Sequence, residues 1–368
     1  MKKRITYILL LLVMSLPMMA GIHSYTNQSV LSDGHWIKIR VSESGVCRMS
    51  FSELRSAGIN PQQLRVFGYG GAQLTQNFKQ PKIDDLPPVP VYVGDEYVLF
   101  WVQGPISWTY DGSRFAHTRN TYSNYGYYFL TDDQGTLLAP VAGTAVSGTP
   151  TDITSYPYYQ VHNVDSLNLI DRTGVSGGGR TFYGEQFNAN QTRTFRFPTP
   201  TALTGESSTA YITVAAFAPA VSYFYGKLNE GERKSVYIRA NPDHYTFGST
   251  GAFSVSSTSS AGSQQVELML QCSSSAALGW LNYIELTTPS ELRMTGSWMP
   301  VRTNRNYKSA TPVRFHMQNA KATTQVWDVT SLGAISGMPT QFSNGELTWV
   351  GSQADGVHEY VVVDPEGS

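Results

Sequence analysis

Nucleophile-and-base chemistry in this chain would have to come from two cysteines, Cys47 and Cys272, and seven histidines: His23, His35, His117, His162, His244, His316 and His358. A thiol becomes a nucleophile when a histidine beside it takes its proton and oxyanion donors wait nearby. Neither cysteine stands in a recognisable nucleophile turn. Cys47 alternates with Met49 and Phe51 along an apolar strand face, so its reading is core. Cys272 closes a strand and leads into Ser273-Ser274-Ser275. Two cysteines in so long a chain are no disulfide scaffold. They are two buried small residues or a single bridge between domains.

Metal chemistry finds no local frame. No two histidines fall within five positions of one another, and no His-Glu-x-x-His is present. A calcium ion held by loop carboxylates is the metal that an extracellular β-domain would favour. The pairs Asp84/Asp85, Asp132/Asp133 and Asn241/Asp243 also read as plain turn residues. Asp95-Glu96 and Asp84-Asp85 are adjacent carboxylates, but neighbours on a strand point to opposite faces and make no acid/base pair. The run Phe67-Gly68-Tyr69-Gly70-Gly71 lacks the spacing of a phosphate loop and reads as a tight turn or bulge. The site prediction is therefore no catalytic, cofactor-binding or metal residue, with calcium as the one cofactor considered.

The elements are strands. Ile37, Ile39 and Val41 alternate with Lys38 and Arg40; after Ser42-Glu43-Ser44-Gly45, Cys47, Met49 and Phe51 alternate back, which reads as a strand pair. Ser50 and Glu53 form a capping box for a short helix, closed by Gly58 and Asn60-Pro61. Tyr97 to Val102 is nearly continuously apolar and reads as a central strand; Tyr125 to Leu130 is another. Ala139 to Thr154 has little periodicity and reads as a linker. Beyond it, short strands recur between turns: Thr192 to Phe197, Ala210 to Ala218, Gln265 to Gln271, Trp280 to Leu286, Thr311 to Met317, Gln325 to Val329, Glu346 to Val350 and Glu359 to Val363. Gly177-Gly178-Gly179 reads as a flexible turn. The expected fold is all-β and mostly antiparallel with one or two short helices: a signal peptide at 1–20, an N-terminal β-domain at 25–138, a linker at 139–154 and a β-sandwich, plausibly jelly-roll-like, at 155–364.

Composition narrows the setting. Lys2, Lys3 and Arg4 precede the apolar run Ile8 to Pro17 and then Met18-Met19-Ala20, the pattern of a secretory signal. Without that segment 23 basic residues face 27 acidic ones, a net charge of −4, which argues against nucleic acid. No later stretch has the length of a membrane-spanning helix. Charged residues are 14% and aromatics 12%, a balance that suits solvated sheets.

Six strings in order carry a resemblance: Ser42-Glu43-Ser44-Gly45-Val46, Phe67 to Gly71, Ile83-Asp84-Asp85-Leu86-Pro87, Asn120 to Leu130, Phe182-Tyr183-Gly184-Glu185 and Val326-Trp327-Asp328-Val329-Thr330. Together, over residues 29 to 364, they resemble the N-terminal region of the PorU-type sortases of the type IX secretion system, a gingipain-like cysteine peptidase family. The resemblance implies an exported outer-membrane, cell-surface protein. In such a protein a later peptidase domain, expected after residue 368, cleaves the C-terminal signals of secreted cargo and joins the cargo to anionic lipopolysaccharide. It implies cargo signal domains and secretion or attachment proteins of the outer membrane as partners. It transfers no catalytic residue, since no position here matches the family's Cys/His pair; an aromatic is the family expectation at Cys47. The implied role is a non-catalytic scaffold or dock. The alternative is an independent secreted carbohydrate-binding or adhesin-like module.

Overall fold

The computed structural model describes residues 25–80, 82–169, 180–241 and 248–367. The export signal read at 1–20, the glycine run at 177–179, His23, Asp243 and His244 lie outside the described residues. The chain divides into a small unit, residues up to Gly34 with Leu74–Leu86, and a large one, His35–Gln73 with Pro87 onward. In the small unit the Asp85 carboxylate accepts from the Ser29 hydroxyl at 2.9 Å and the Val30 N–H at 2.6 Å, while Ser29 caps the single turn Val30–Ser32.

The described residues of the large unit are all-β and mostly antiparallel, with one α-helix, as the alternation predicts. Its N-terminal layers are a sheet ordered Ile37–Val41, Gly126–Thr131, Arg65–Gly70, Pro88–Val89 and a second ordered Gly45–Ser50, Tyr97–Val102, Tyr92–Val93. The first two strands of the chain thus do not pair with each other. Ile37–Val41 pairs with Gly126–Thr131, and Gly45–Ser50 with Tyr97–Val102. Both apolar faces, Ile37/Ile39/Val41 and Cys47/Met49, pack into one core. The turn between them therefore crosses from layer to layer, so the strands bury their faces against each other rather than sharing an edge.

Helix α1 (Phe51–Ser56) follows. The Ser50 hydroxyl accepts from the Glu53 N–H and the Glu53 carboxylate accepts from the Ser50 N–H, so each satisfies a donor that the first turn leaves open. Gly58 ends the helix at φ 82°, and Phe51 and Leu54 are buried. The glycine turn of the next strand serves packing: a Cβ at Gly68 would lie 2.3 Å from the Tyr128 ring, and the ladder bulges between Gly68 and Gly70. The Tyr128 hydroxyl accepts from the Gln103 N–H at 2.6 Å.

A five-stranded sheet, ordered Val141–Ala142, Ser336–Gly337, Gln325–Asp328, Tyr360–Val363, Trp298–Val301, closes this block. Its strand Tyr360–Val363 is buried at every residue. Val361 and Val363, with Trp327, enter the N-terminal core. Tyr360 and Val362, with Val326, Met299 and Val301, face a different core on the other side. Successive side chains of a strand point to opposite faces, so an unbroken apolar run marks a strand covered twice. The second core is completed by a sheet ordered Thr151–Ile153, Val313–Met317, Glu346–Gly351, Thr340–Ser343, in which Phe315 stacks on Trp349 at 4.5 Å. Residues 139–154 hold two short strands, Val141–Ala142 and Thr151–Ile153, each paired in parallel with a strand from beyond residue 310.

Between these halves lies a sandwich. One sheet has the main order Ser155–His162, Leu278–Glu291, Ser207–Phe217, Ser249–Thr258, with the short Gln186–Asn188 also paired to Leu278–Glu291; the other is ordered Thr192–Thr199, Gly262–Cys272, Ser222–Leu228, Lys234–Ile238. Counted 1 to 8 along the chain without that short strand, these run 1-8-3-6 and 2-7-4-5, the double Greek key of a jelly roll. Phe195, Phe197, Phe224, Ile212, Ile284 and Leu268 interdigitate between the sheets. No helix among the described residues is long and apolar enough to cross a membrane.

Candidate functional site

The two thiols sit in two different cores. Cys47 packs against the N-terminal core and Cys272 is buried in the jelly-roll core; both are free. Burial, reinforced by the Glu53 charge, pushes the Cys47 thiol up to about 11, so it stays protonated at neutral pH and is a poor nucleophile. The Cys272 sulfur lies 3.6 Å from the Val221 carbonyl oxygen, and the Ser274 N–H points to it at 3.5 Å.

Four of the five described histidines, His117, His162, His316 and His358, are held by carboxylates. His358 lies between Asp328, 2.7 Å from Nδ1, and Asp355, 2.9 Å from Nε2. These hydrogen bonds raise it to about 9, so the ring is an imidazolium that braces the loop before Tyr360–Val363 rather than a base. His316 is likewise held through both nitrogens, by Asp152 at 2.8 Å and Glu346 at 3.0 Å, and its pKa is raised despite partial burial. His162 Nε2 meets Glu185 at 2.7 Å. With both ring nitrogens directing N–H groups at carboxylates, His316 and His358 have no lone pair to offer a metal. No group of three or more His, Cys, Asp or Glu among the described residues forms a metal frame. The turn carboxylates instead tether backbone: Asp132 accepts from the Asn60 N–H at 2.7 Å and Asp133 from the His35 N–H at 2.7 Å.

The most developed polar constellation lies under a hairpin that the sequence reading passed over. Strands Ile106–Tyr110 and Phe115–Arg119 pair around Asp111-Gly112-Ser113-Arg114. The Asp111 carboxylate accepts from Ser113 and Arg114 N–H groups, which pulls it down to about 2, and Gly112 takes φ 102°. An Asp-Gly pair between alternating aromatic and polar residues is the signal that would have located this turn. The hairpin lies on the outer face of the jelly-roll strand Leu278–Glu291. There Ile284 and Leu286 enter the core and Glu285 points the other way, yet is only 5% exposed.

The Glu285 carboxylate accepts from the His117 N–H at 2.8 Å, meets His117 Nδ1 at 2.6 Å and pairs with Arg114. The Asn163 amide donates to His117 Nε2 at 2.9 Å, which leaves the ring proton on Nδ1, facing Glu285. A carboxylate orienting an imidazole is two-thirds of a hydrolytic triad. The third place, at Nε2, holds an amide instead of a hydroxyl or thiol, so the arrangement docks the hairpin rather than activating a nucleophile. Tyr283 packs edge-on against His117 at 4.6 Å, and the Arg114 guanidinium covers Tyr211 at 4.0 Å.

Two hollows lie in the large unit. One, about 660 Å³, is lined by Asp152 to Pro157, Pro289 and Thr303 to Asn306. The second, about 280 Å³, has aromatic walls from the hairpin and its neighbours.

No family model matches the sequence, and no curated protein matches it. Among solved structures, dimeric latent PorU from Porphyromonas gingivalis superposes with a TM-score of 0.80 at 25% identity over 92% of this chain. The match covers 33% of that chain, so the present chain spans about a third of PorU's length. A family 35 carbohydrate binding module from an environmental isolate covers 36% of this chain and 90% of its own at 14% identity, with a TM-score of only 0.24. TmCBM61, solved with β-1,4-galactotriose, covers 35% of this chain and 88% of its own at 9% identity and a TM-score of 0.22. Neither score supports an argument. The described residues have a PorU-like fold.

Proposed function

We propose that this chain is the non-catalytic front region of a PorU-like sortase, a β-scaffold that carries and orients reactive machinery supplied elsewhere in a longer polypeptide. The observation that carries the reading is the agreement of nearly the whole chain with about one third of PorU. The neutral Cys47 thiol and the carboxylate-engaged His117, His162, His316 and His358 favour a supporting role. On this reading the protein is exported and displayed at the outer-membrane surface. Its partners are the C-terminal signal domains of secreted cargo and the secretion or attachment proteins beside it. The full-length protein cleaves those signals and attaches cargo to anionic lipopolysaccharide.

Two measurements test it. The isolated chain, given fluorogenic Arg and Lys peptides, is expected to release no fluorophore. Turnover that disappears in Cys47→Ala or Cys272→Ala would overturn the scaffold role. Immobilised cargo signal domains are expected to retain the chain in surface plasmon resonance; no retention of any cargo domain removes the docking half of the proposal.

A further inference from the structure

We propose that the aromatic-walled hollow beside the hairpin is a binding site for a neutral sugar ring. It measures about 280 Å³, near the lower end of ligand cavities and enough for one hexose. Its walls converge from five separate segments, Thr330 after Gln325–Asp328 being one. Trp108, Tyr110 and Phe115 come from the hairpin and Tyr159 from the first jelly-roll strand. Arg302 and Tyr307 follow Trp298–Val301, and Asp355 and Glu359 come from the loop before Tyr360–Val363.

The aromatics are graded in depth. Phe115 and Tyr159 are buried and stacked at 4.2 Å, forming a floor. Trp108 lies 4.7 Å from Tyr159, and Tyr110 meets Tyr307 edge-on at 4.8 Å; these three upper rings stay partly exposed. Ring faces held open in a concavity offer flat apolar surface to the C–H face of a pyranose.

The polar rim decides the ligand's charge. Arg302 is ion-paired with Glu359, the two being 12% and 18% exposed. His358 sits between Asp328 and Asp355. The guanidinium in the wall repels a cation, which excludes the acid-lined aromatic cage that suits quaternary ammonium groups. Glu359 and Asp355 repel an anion. What remains is a donor beside acceptors, the pattern that vicinal hydroxyls satisfy. One Asp355 oxygen is taken by His358, and the carboxylate is 74% exposed. Two further groups on these side chains, Tyr159 Oη and Arg302 Nε, are buried without a hydrogen-bond partner. Unpaired polar groups in this wall favour a hydroxyl-bearing ligand over an apolar one.

The inference does not depend on the scaffold reading: the chain can carry a peptidase with or without a sugar in this hollow. The test uses the whole chain on an array of neutral oligosaccharides, followed by calorimetric titration of the best hit. The expected result is binding to a neutral glycan that Trp108→Ala and Tyr307→Ala each weaken about ten-fold, the loss of one stacked face being about 1.4 kcal/mol. Tyr237→Ala, on an exposed ring of the opposite jelly-roll sheet, is expected to leave it unchanged. Asp355→Asn alters an exposed carboxylate and keeps the test decisive should an aromatic variant misfold; it is expected to weaken binding several-fold. The proposal is overturned by no neutral glycan on the array, by a preference for charged sugars or quaternary ammonium probes, or by equal loss in Tyr237→Ala.

Discussion

In the jelly roll, all nine strands of the two sheets lie between Ser155 and Glu291 and close around one core. The block beside it is assembled from both ends of the sequence. Strands from Ile37 to Thr131 bury their apolar faces against Trp327, Val361 and Val363, and the opposite face of the same five-stranded sheet serves another core. The first arrangement is contained within one stretch of chain, even though only Ser222–Leu228 and Lys234–Ile238 pair as sequential neighbours. The second depends on a strand that must satisfy two cores at once. A substitution in the jelly roll should therefore stay in the jelly roll, whereas one in the shared sheet should spread.

The largest effects test that separation directly. Trp327→Ala and Phe224→Ala each remove a fully packed aromatic ring, 2% and 0% exposed, at a cost of about 3–5 kcal/mol. In calorimetry Trp327→Ala should lower the transition of the shared-sheet block and Phe224→Ala that of the jelly roll. A single transition shifted equally by both would dissolve the distinction.

Glu285→Gln comes next. It leaves Arg114 and His117 without their carboxylate at the seam between hairpin and jelly roll. Partial exposure of Arg114 reduces the penalty to about 2–3 kcal/mol, below that of a fully buried pair. Proteolysis at the hairpin should accelerate while the jelly-roll transition stays put; unchanged cleavage would remove Glu285 as the docking contact.

His358→Gln sharpens the comparison through pH. The folded value is raised to about 9. Its stabilisation is therefore complete below the unfolded value near 6.5 and is lost as pH climbs through 9. Asp328 is held below the usual range despite desolvation, chiefly by its hydrogen bonds to His358 and Thr330, so its share is lost as pH falls into the acid range. Urea titrations should show wild type ahead of the variant by about 1–2 kcal/mol at pH 6, and by little at pH 10. A gap independent of pH would mean that the ring acts through packing alone. The smallest effect expected is Ser50→Ala, about 1 kcal/mol from the loss of the capping box at α1, read in the same block.

Much of the fold could be read from short-range pattern. The capping box, the left-handed Gly58 and the unbroken run Tyr97–Val102 are local facts with local causes, and each appears in the structure. In the jelly roll, alternation marked Thr192–Thr199, Ser207–Phe217, Gly262–Cys272 and Leu278–Glu291, but not the sheet order, since only Ser222–Leu228 and Lys234–Ile238 pair as sequential neighbours. Pairing across long separations was less legible. Ile37–Val41 and Gly45–Ser50 read as partners, yet they face each other across a layer, because alternation states which side is apolar and not which neighbour covers it. The hairpin at Ile106–Arg119 was legible: Ile106-Ser107-Trp108-Thr109-Tyr110 alternates up to the Asp111-Gly112 turn, although Phe115 to Arg119 alternates less cleanly. Glu285 gave no warning: a charged residue between Ile284 and Leu286 reads as the solvent side of a strand, and only the hairpin laid over it makes it buried.

The doubly covered strand Tyr360–Val363 also sets an order of events. The strands of Ile37 to Thr131 emerge early, but their core lacks a wall until Gln325–Asp328 and Tyr360–Val363 have been delivered. Closing contacts so distant along the chain is slow, and the waiting intermediate presents unpaired edges and bare apolar faces. The jelly roll, complete within its own stretch, can mature in the meantime and hold the two ends of that unfinished block close together, so the last strand has only to slide into a slot already framed on both sides.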